Sequence, residues 1–279
     1  MSFLIRFARQ WIAGETLDDA ISRTRKANNS GIGGIINFLG EHVRNKDEAK
    51  KNIEENQRIL EAIGDSKLNA SLSIKLTQLG LEIEKHFCLS NVEQIVSSAA
   101  SKNIFVWIDM ENSPYTEETI YIYLEVFKKY KNVGVAIQSN LKISESDIKR
   151  IAAAGGIIRL VKGAYSEKTD IAYTSRKDIT INYSKLMGYL FFKSPFFAIA
   201  THDDLLINEA LIANEAHRKK IEFQMLLGVR EELKKELVQK GLTVVDYIPY
   251  GKNWFPYSLR RIRERKRNIL LVFRSIFDF

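Results

Sequence analysis

Cysteine is nearly missing from this chain: Cys88 is the only one in 279 residues. A single thiol cannot close an intramolecular disulfide or build a cysteine-cluster metal site, and it fits a reducing compartment. Histidine is scarce too, and His42, His86, His202 and His217 are dispersed without metal-ligand spacing. The longest apolar run near the C-terminus, Ile269 to Phe273, falls far short of the roughly 20 residues that cross a bilayer. Met1 to Trp11 mixes Arg6 and Arg9 with apolar residues and lacks a small-residue cleavage site, so it makes a poor signal peptide. No tract rich in Pro, Gly or Ser marks a linker. No Ser–His–Asp order and no retained carboxylate pair appears, which weighs against hydrolases. The expectation is a cytoplasmic chain, able at most to rest on the inner face of the cell membrane.

What is present is a regular alternation. Short β-rich runs are expected at Gly34–Leu39, Ala70–Leu76, Ile104–Asp109, Gly134–Gln138, Gly156–Val161, Phe196–Ala200, Ile221–Gln224 and Leu242–Ile248. Most are continuously apolar, as parallel strands covered on both faces should be. Between and after them, Lys46–Ile63, Asn91–Ala100, Thr116–Tyr130, Ser144–Ala154, Asn182–Leu190, Asp204–Ala216, Arg230–Lys240 and Phe255–Arg267 carry apolar residues at helical spacing. Ser144 and Asn91 read as helix caps. Repeats of this kind predict an α/β fold, a (β/α)8 TIM-type barrel of one domain over residues 1–279. Helices at Phe3–Ile12 and Leu17–Ala27, within residues 1–30, are expected to pack outside the barrel. A doubly wound sheet is the fold alternative, but its nucleotide fingerprint is missing, since Gly31-Ile32-Gly33-Gly34 precedes its strand instead of following it.

In such a barrel the chemistry gathers at the C-terminal ends of the strands. Those ends offer Lys75, Asp109, Gln138, Arg159 with Lys162, Thr201 with His202, and Gln224. Near the C-terminus Tyr257-Ser258-Leu259-Arg260-Arg261 follows the break Asn253-Trp254-Phe255-Pro256, with Glu264 one helical turn on. Adjacent guanidinium groups repel unless an anion lies between them, and arginine's planar fork grips a carboxylate bidentately. On a helix Tyr257, Arg261 and Glu264 share a face, so Glu264 can hold Arg261 toward a ligand. Taken alone, the stretch reads equally as a solvated basic helix, since Arg263, Arg265, Lys266 and Arg267 follow. The pocket expected from these residues is cationic and suits an anionic ligand. Gly163 leaves backbone open to a phosphate or a flat ring.

At these residues the chain resembles the proline dehydrogenases. The matching segments are SIKLTQLG (Ser73–Gly80), WIDME (Trp107–Glu111), AIQSNL (Ala136–Leu141), RLVKGAY (Arg159–Tyr165), ATHD (Ala200–Asp203), EFQMLLGV (Glu222–Val229) and YSLRR (Tyr257–Arg261). The resemblance implies FAD-dependent oxidation of L-proline to Δ1-pyrroline-5-carboxylate, the first step of proline degradation to glutamate. It implies noncovalent FAD, a membrane quinone as electron acceptor, and pyrroline-5-carboxylate dehydrogenase as the downstream enzyme. Asp109 and Arg159 match the family's catalytic positions. Lys75, Arg260 and Arg261 would hold the proline carboxylate with Glu264 behind Arg261, while Tyr257, Leu226 and Tyr165 enclose the ring. Met110, Gln138, Lys162, Gly163, Ala164, Thr201 and His202 match the FAD-binding positions. The family often has Asn where this chain has Asp203.

Two other readings compete. A phosphate-binding barrel lyase or isomerase, using Lys75 or Lys162 as a Schiff-base lysine, would account for a cationic mouth but not for the arginine pair beside Tyr257. A nucleic-acid-binding protein is motivated only by the formal charge of +8 and lacks a recognition motif. Asn268–Phe279, with Leu270, Leu271, Val272, Phe273, Ile276, Phe277 and Phe279 after a basic run, reads first as a final helix packed on the barrel or on another subunit, and second as a surface for peripheral membrane contact.

Overall fold

A computed structural model describes residues 8–259. Its eight strands are β1 (Gly33–Phe38), β2 (Ala70–Ile74), β3 (Val106–Ile108), β4 (Val133–Gln138), β5 (Ile158–Val161), β6 (Phe196–Ala200), β7 (Lys220–Leu226) and β8 (Thr243–Tyr250). All pair in parallel with their neighbours in chain order, and β8 closes on β1. The (β/α)8 barrel expected from the alternation is therefore present.

Helix α1 (Leu17–Asn28) opens on a capping box in which Thr16 and Asp19 satisfy each other's backbone N–H groups. It lies against β1 and β8 and covers the seam of the barrel. The remaining helices are α2 (Lys46–Asp65), α3 (Lys85–Ser101), α4 (Thr116–Lys129), α5 (Ser144–Ala153), α6 (Arg176–Lys193), α7 (Asp204–His217) and α8 (Glu231–Gln239). Residues 254–259 are helical, and the rest of the expected Phe255–Arg267 helix lies outside the described residues. Of the expected Phe3–Ile12 helix, residues 9–11 form a turn. Trp11 and Ile12 pack with Leu39 and Tyr257, and Trp11 Nε1 donates to Ser258 Oγ at 2.9 Å. The entering chain is thus pinned beside the segments that follow β1 and β8.

Two asparagines read as helix starts lie inside their helices. Asn91 is buried in α3, where its amide donates to Leu79 O at 2.9 Å, and the Asn182 amide in α6 donates to Ser139 O at 2.7 Å. Each amide satisfies a carbonyl in the segment after a strand, so a polar residue turns inward from a helix that begins well before it. The cap of α6 is Ser175. Ser144 is likewise no cap, since its hydroxyl donates to Gln138 O and Ile143 precedes the helix.

Side chains alternate across each strand. Ile35, Trp107, Ala198 and Val245 form the inner core, with Phe105, Ile157, Phe196 and Tyr247 packed against them. Gly134 is what admits Trp107: a Cβ there would stand 2.5 Å from the indole ring. Behind β8, Lys234 of α8 is fully buried and donates to Asp246 at 2.5 Å and Glu231 at 2.7 Å. Lys234→Met should cost about 3–5 kcal/mol in urea denaturation, because Asp246 is left as a buried, unpaired carboxylate. Adding Asp246→Leu should recover much of that loss. Parent-like stability of the single variant would contradict this account. Among the described residues, no helix is long and apolar enough to cross a membrane.

Candidate active site

One carboxylate organises the mouth of the barrel. Asp109 follows β3 and is 7% exposed. Its Oδ2 accepts from Lys75 Nζ at 2.5 Å and from the Tyr247 hydroxyl at 2.6 Å, while Oδ1 accepts from Ser73 Oγ and Arg159 Nη1, both at 2.6 Å. These donors come from β2 and its end, β5 and β8. Strand alternation puts Ser73 and Lys75 on one face of the chain, and Arg159 and Tyr247 on inner faces across the barrel.

Burial works against ionisation of Asp109, but Lys75 and Arg159 outweigh it and hold the carboxyl well below its usual range. Burial opposes the Lys75 ammonium as well, yet Asp109, with Tyr247, Tyr165 and Glu111, carries its pKa well above the ordinary value. Burial and the Asp109 charge push the Tyr247 hydroxyl up. Among the described residues, Asp109 alone bonds directly to both cations, while Glu111 acts on Lys75 and Arg159 acts on Glu222 through space.

Arg159 is only partly satisfied by this cluster. Its guanidinium lies 4.7 Å from the centre of the Trp107 ring and 5.8 Å from that of Tyr247. Only Nη1 is engaged; Nε and Nη2 are buried without a hydrogen-bond partner, a costly state for charged donors. Gln224 Oε1 and Asn140 Oδ1 are likewise buried and unpartnered. Among the described residues these atoms are unused donors and acceptors.

The other expected positions fall into distinct settings. Gln138 is buried, and its amide donates to Glu111 O at 2.7 Å. Met110 is buried among the apolar residues of the core. Lys162 reaches Asp203 at 2.5 Å and Thr180 at 3.0 Å. Asp203 meanwhile caps α7 through Leu205 N–H, so it serves this chain as a cap and as the anchor of Lys162. Gly163 has φ +106, and a Cβ there would meet Asn140 Oδ1 at 2.1 Å, which explains glycine at this position. Ala164 is exposed beside it. Thr201 Oγ1 accepts from Asp203 N–H, and His202 Nε2 accepts from Leu226 N–H at 2.9 Å. Leu226 pairs in register with Tyr247, and the two form one stretch of inner wall.

The Tyr165 hydroxyl donates to Glu41 at 3.3 Å, joining the loops after β5 and β1. Glu167 accepts from both the N–H and hydroxyl of Ser113, tying the β5 loop to the β3 loop as well. Tyr257 is buried near the N-terminal segment, while Arg260, Arg261 and Glu264 lie outside the described residues. Ser73 and Tyr247 are site residues that the sequence reading missed. The alternation Val245, Tyr247 on β8 was the available signal, but the partner of Tyr247 stands 138 residues away. Among the described residues, no three His, Cys, Asp or Glu side chains gather as a metal site.

Comparison with known proteins agrees with this architecture. The proline dehydrogenase family model matches residues 20–270. Proline dehydrogenase 1 of Bacillus subtilis strain 168 is 34% identical over 272 residues, covering 96% of this chain and 90% of its own. Proline dehydrogenase 2 of the same strain is 34% identical over 290 residues, covering 98% and 94%. The crystal structure of proline utilization A from Bdellovibrio bacteriovorus, inactivated by N-propargylglycine, has the same fold with a TM-score of 0.88 at 24% identity. That alignment covers 94% of this chain and only 33% of the longer one. On the strength of the family match and the full-length relatives, the chain belongs to the proline dehydrogenase family.

Proposed function

We propose that this chain oxidises L-proline to Δ1-pyrroline-5-carboxylate, using noncovalent FAD and passing electrons to a membrane quinone. The observation that carries the reading is the buried Lys75–Asp109–Arg159 cluster, with its two unsatisfied guanidinium nitrogens. A bound flavin supplies the hydride acceptor for such an oxidation. Arg159, stacked on Trp107 and held by Asp109, is fixed in place to offset negative charge on a reduced ring. Gln138, Lys162, Gly163, Ala164, Thr201 and His202 are the remaining candidates to hold the cofactor, with Met110 through its backbone. The unpartnered polar atoms of Arg159, Gln224 and Asn140 fit such a group.

Lys75 shares the proline carboxylate with Arg260 and Arg261 in this reading, Glu264 orients Arg261, and Tyr257, Leu226 and Tyr165 enclose the ring. Fixing the carboxylate fixes C5, and orientation of this kind can remove about 7 kcal/mol or more from a barrier. Asp109 anchors the two cations and does not act as a base, because a carboxylate held so far below its usual range has little proton affinity. The raised pKa of Lys75 argues against Lys75 as a Schiff-base lysine, which needs an amine that readily loses its proton. One barrel domain carries the activity, and the segment Asn268–Phe279, read from sequence alone, provides the approach to the membrane.

The test is anaerobic addition of substrate to the purified yellow protein. L-Proline should bleach the flavin absorbance, and D-proline should do so poorly because one carboxylate direction is fixed relative to C5. Flavin should be released by acid precipitation. Bleaching by unrelated amino acids but not by L-proline would sink the assignment.

A further inference from the structure

Strand β7 carries a carboxylate into the barrel beneath the mouth. Glu222 and Gln224 stand two residues apart, so their side chains share the inner face. Glu222 pairs in register with the inner-core residue Ala198, and Gln224 with Ala200, one step nearer the mouth. Gln224 Nε2 donates to Glu222 Oε1 at 2.6 Å. An ionised carboxylate only accepts hydrogen bonds, so the amide must present its nitrogen to Glu222 and turn its oxygen away. That oxygen is buried and unpartnered, as are Arg159 Nε and Nη2. The barrel interior therefore holds an acceptor and charged donors in want of a ligand that carries both kinds of group.

We propose that Glu222 is a positioning residue: it locks the Gln224 amide in the orientation that offers Oε1, not the NH2 group, to the ring bound in the mouth. This rests on the flavin reading above. A flavin ring carries carbonyl acceptors and a ring N–H donor, which suits one amide oxygen working beside guanidinium N–H groups. With the amide inverted, an N–H donor would stand where the acceptor is needed, and two buried groups would lose their partners.

The charged groups whose fields reach Glu222 are Arg159 from β5 and Lys220 at the start of β7. Burial raises the Glu222 pKa, while the Gln224 bond, Arg159 and Lys220 act against that rise. Once protonated, the carboxyl can donate as well as accept, and the amide orientation is no longer enforced. The lock should therefore loosen as pH falls through the raised pKa.

The experiment measures the Kd of FAD for the apoprotein across the mildly acid to neutral range. It compares the parent with Glu222→Gln, Gln224→Met and the double variant. Glu222→Gln should weaken FAD binding roughly tenfold at neutral pH, since its own amide can donate or accept and leaves Gln224 free to invert. The parent's weakening toward acid pH should be reduced in Glu222→Gln and in Gln224→Met. If Glu222 acts through Gln224, adding Glu222→Gln to Gln224→Met should change Kd no further. Should Glu222→Gln fail to fold, the acid weakening seen in the parent and reduced in Gln224→Met carries the test. Independent addition of the two effects, or parent-like binding by Glu222→Gln at every pH, overturns the inference. A parent that binds no flavin overturns the flavin reading itself, and this inference with it.

Discussion

Replacing Asp109 by Asn should both destabilise the protein and remove most of its proline turnover. Asp109 accepts four hydrogen bonds, two of them from the buried cations Lys75 and Arg159. The neutral amide can still accept at its oxygen, but its NH2 group faces donors where the carboxylate had a second acceptor. It leaves two buried positive charges without their counter-ion, a loss on the order of 3–5 kcal/mol. Lys75→Met in the Asp109→Asn background should restore part of the stability without restoring turnover, because the uncompensated ammonium is gone but the carboxylate contact is not regained. The pH dependence has a definite sign. Asp109 has a depressed folded pKa, so its contribution is complete above the unfolded value of about 4 and is lost as pH falls toward the folded one. Denaturant titrations from pH 3 to 7 should therefore show a steeper acid loss in the parent than in Asp109→Asn. An asparagine variant with parent-like stability and proline turnover would remove the central anchor from this account.

Arg159 and the pair Arg260–Arg261 should fail in opposite ways when each is changed to Met. Arg159 offers buried, unpartnered nitrogens to the proposed ring, so Arg159→Met should slow flavin reduction and make the flavin potential more negative. Its affinity for tetrahydrofuroic acid, which keeps the carboxylate but lacks the oxidisable nitrogen, should fall less. Arg260→Met or Arg261→Met removes a charged bond to the substrate carboxylate, worth roughly 2–5 kcal/mol or about 30-fold and upward in Kd. FAD content should stay near normal in those two variants. Rapid-mixing reduction rates and analogue titrations give the comparison. If Arg260→Met and Arg261→Met bind the analogue as tightly as the parent, the arginine pair is only a solvated basic face.

The barrel was legible from the sequence because both of its periods are local. Phe196–Ala200 is a five-residue apolar run, and the strand occupies that run. Thr116 to Lys129 repeats its apolar residues at helical spacing and folds as the helix expected there, apart from Tyr130 at its end. Spacing fails where a polar side chain belongs to another segment. Asn91 and Asn182 look like helix starts until the Leu79 and Ser139 carbonyls are seen beside them, because an amide placed to satisfy a distant carbonyl leaves no trace in periodicity.

The polar strand ends, Lys75, Asp109, Gln138 and Arg159, could be read in the same local way, since each follows or interrupts an apolar run. What each does there could not. Only closure of the barrel brings Ser73, Lys75, Arg159 and Tyr247 from three other strands onto Asp109, across separations of 34 to 138 residues. Protonation is decided at the same level. The chain by itself determined the alternation, the cationic composition of the strand ends and the family resemblance, because these depend on residue identity and near-neighbour spacing. The tertiary structure alone decided that Asp109 stays ionised, that Arg159 keeps two nitrogens unsatisfied and that Gln224 turns its oxygen away from Glu222, because burial and through-space charge exist only once distant strands share one interior.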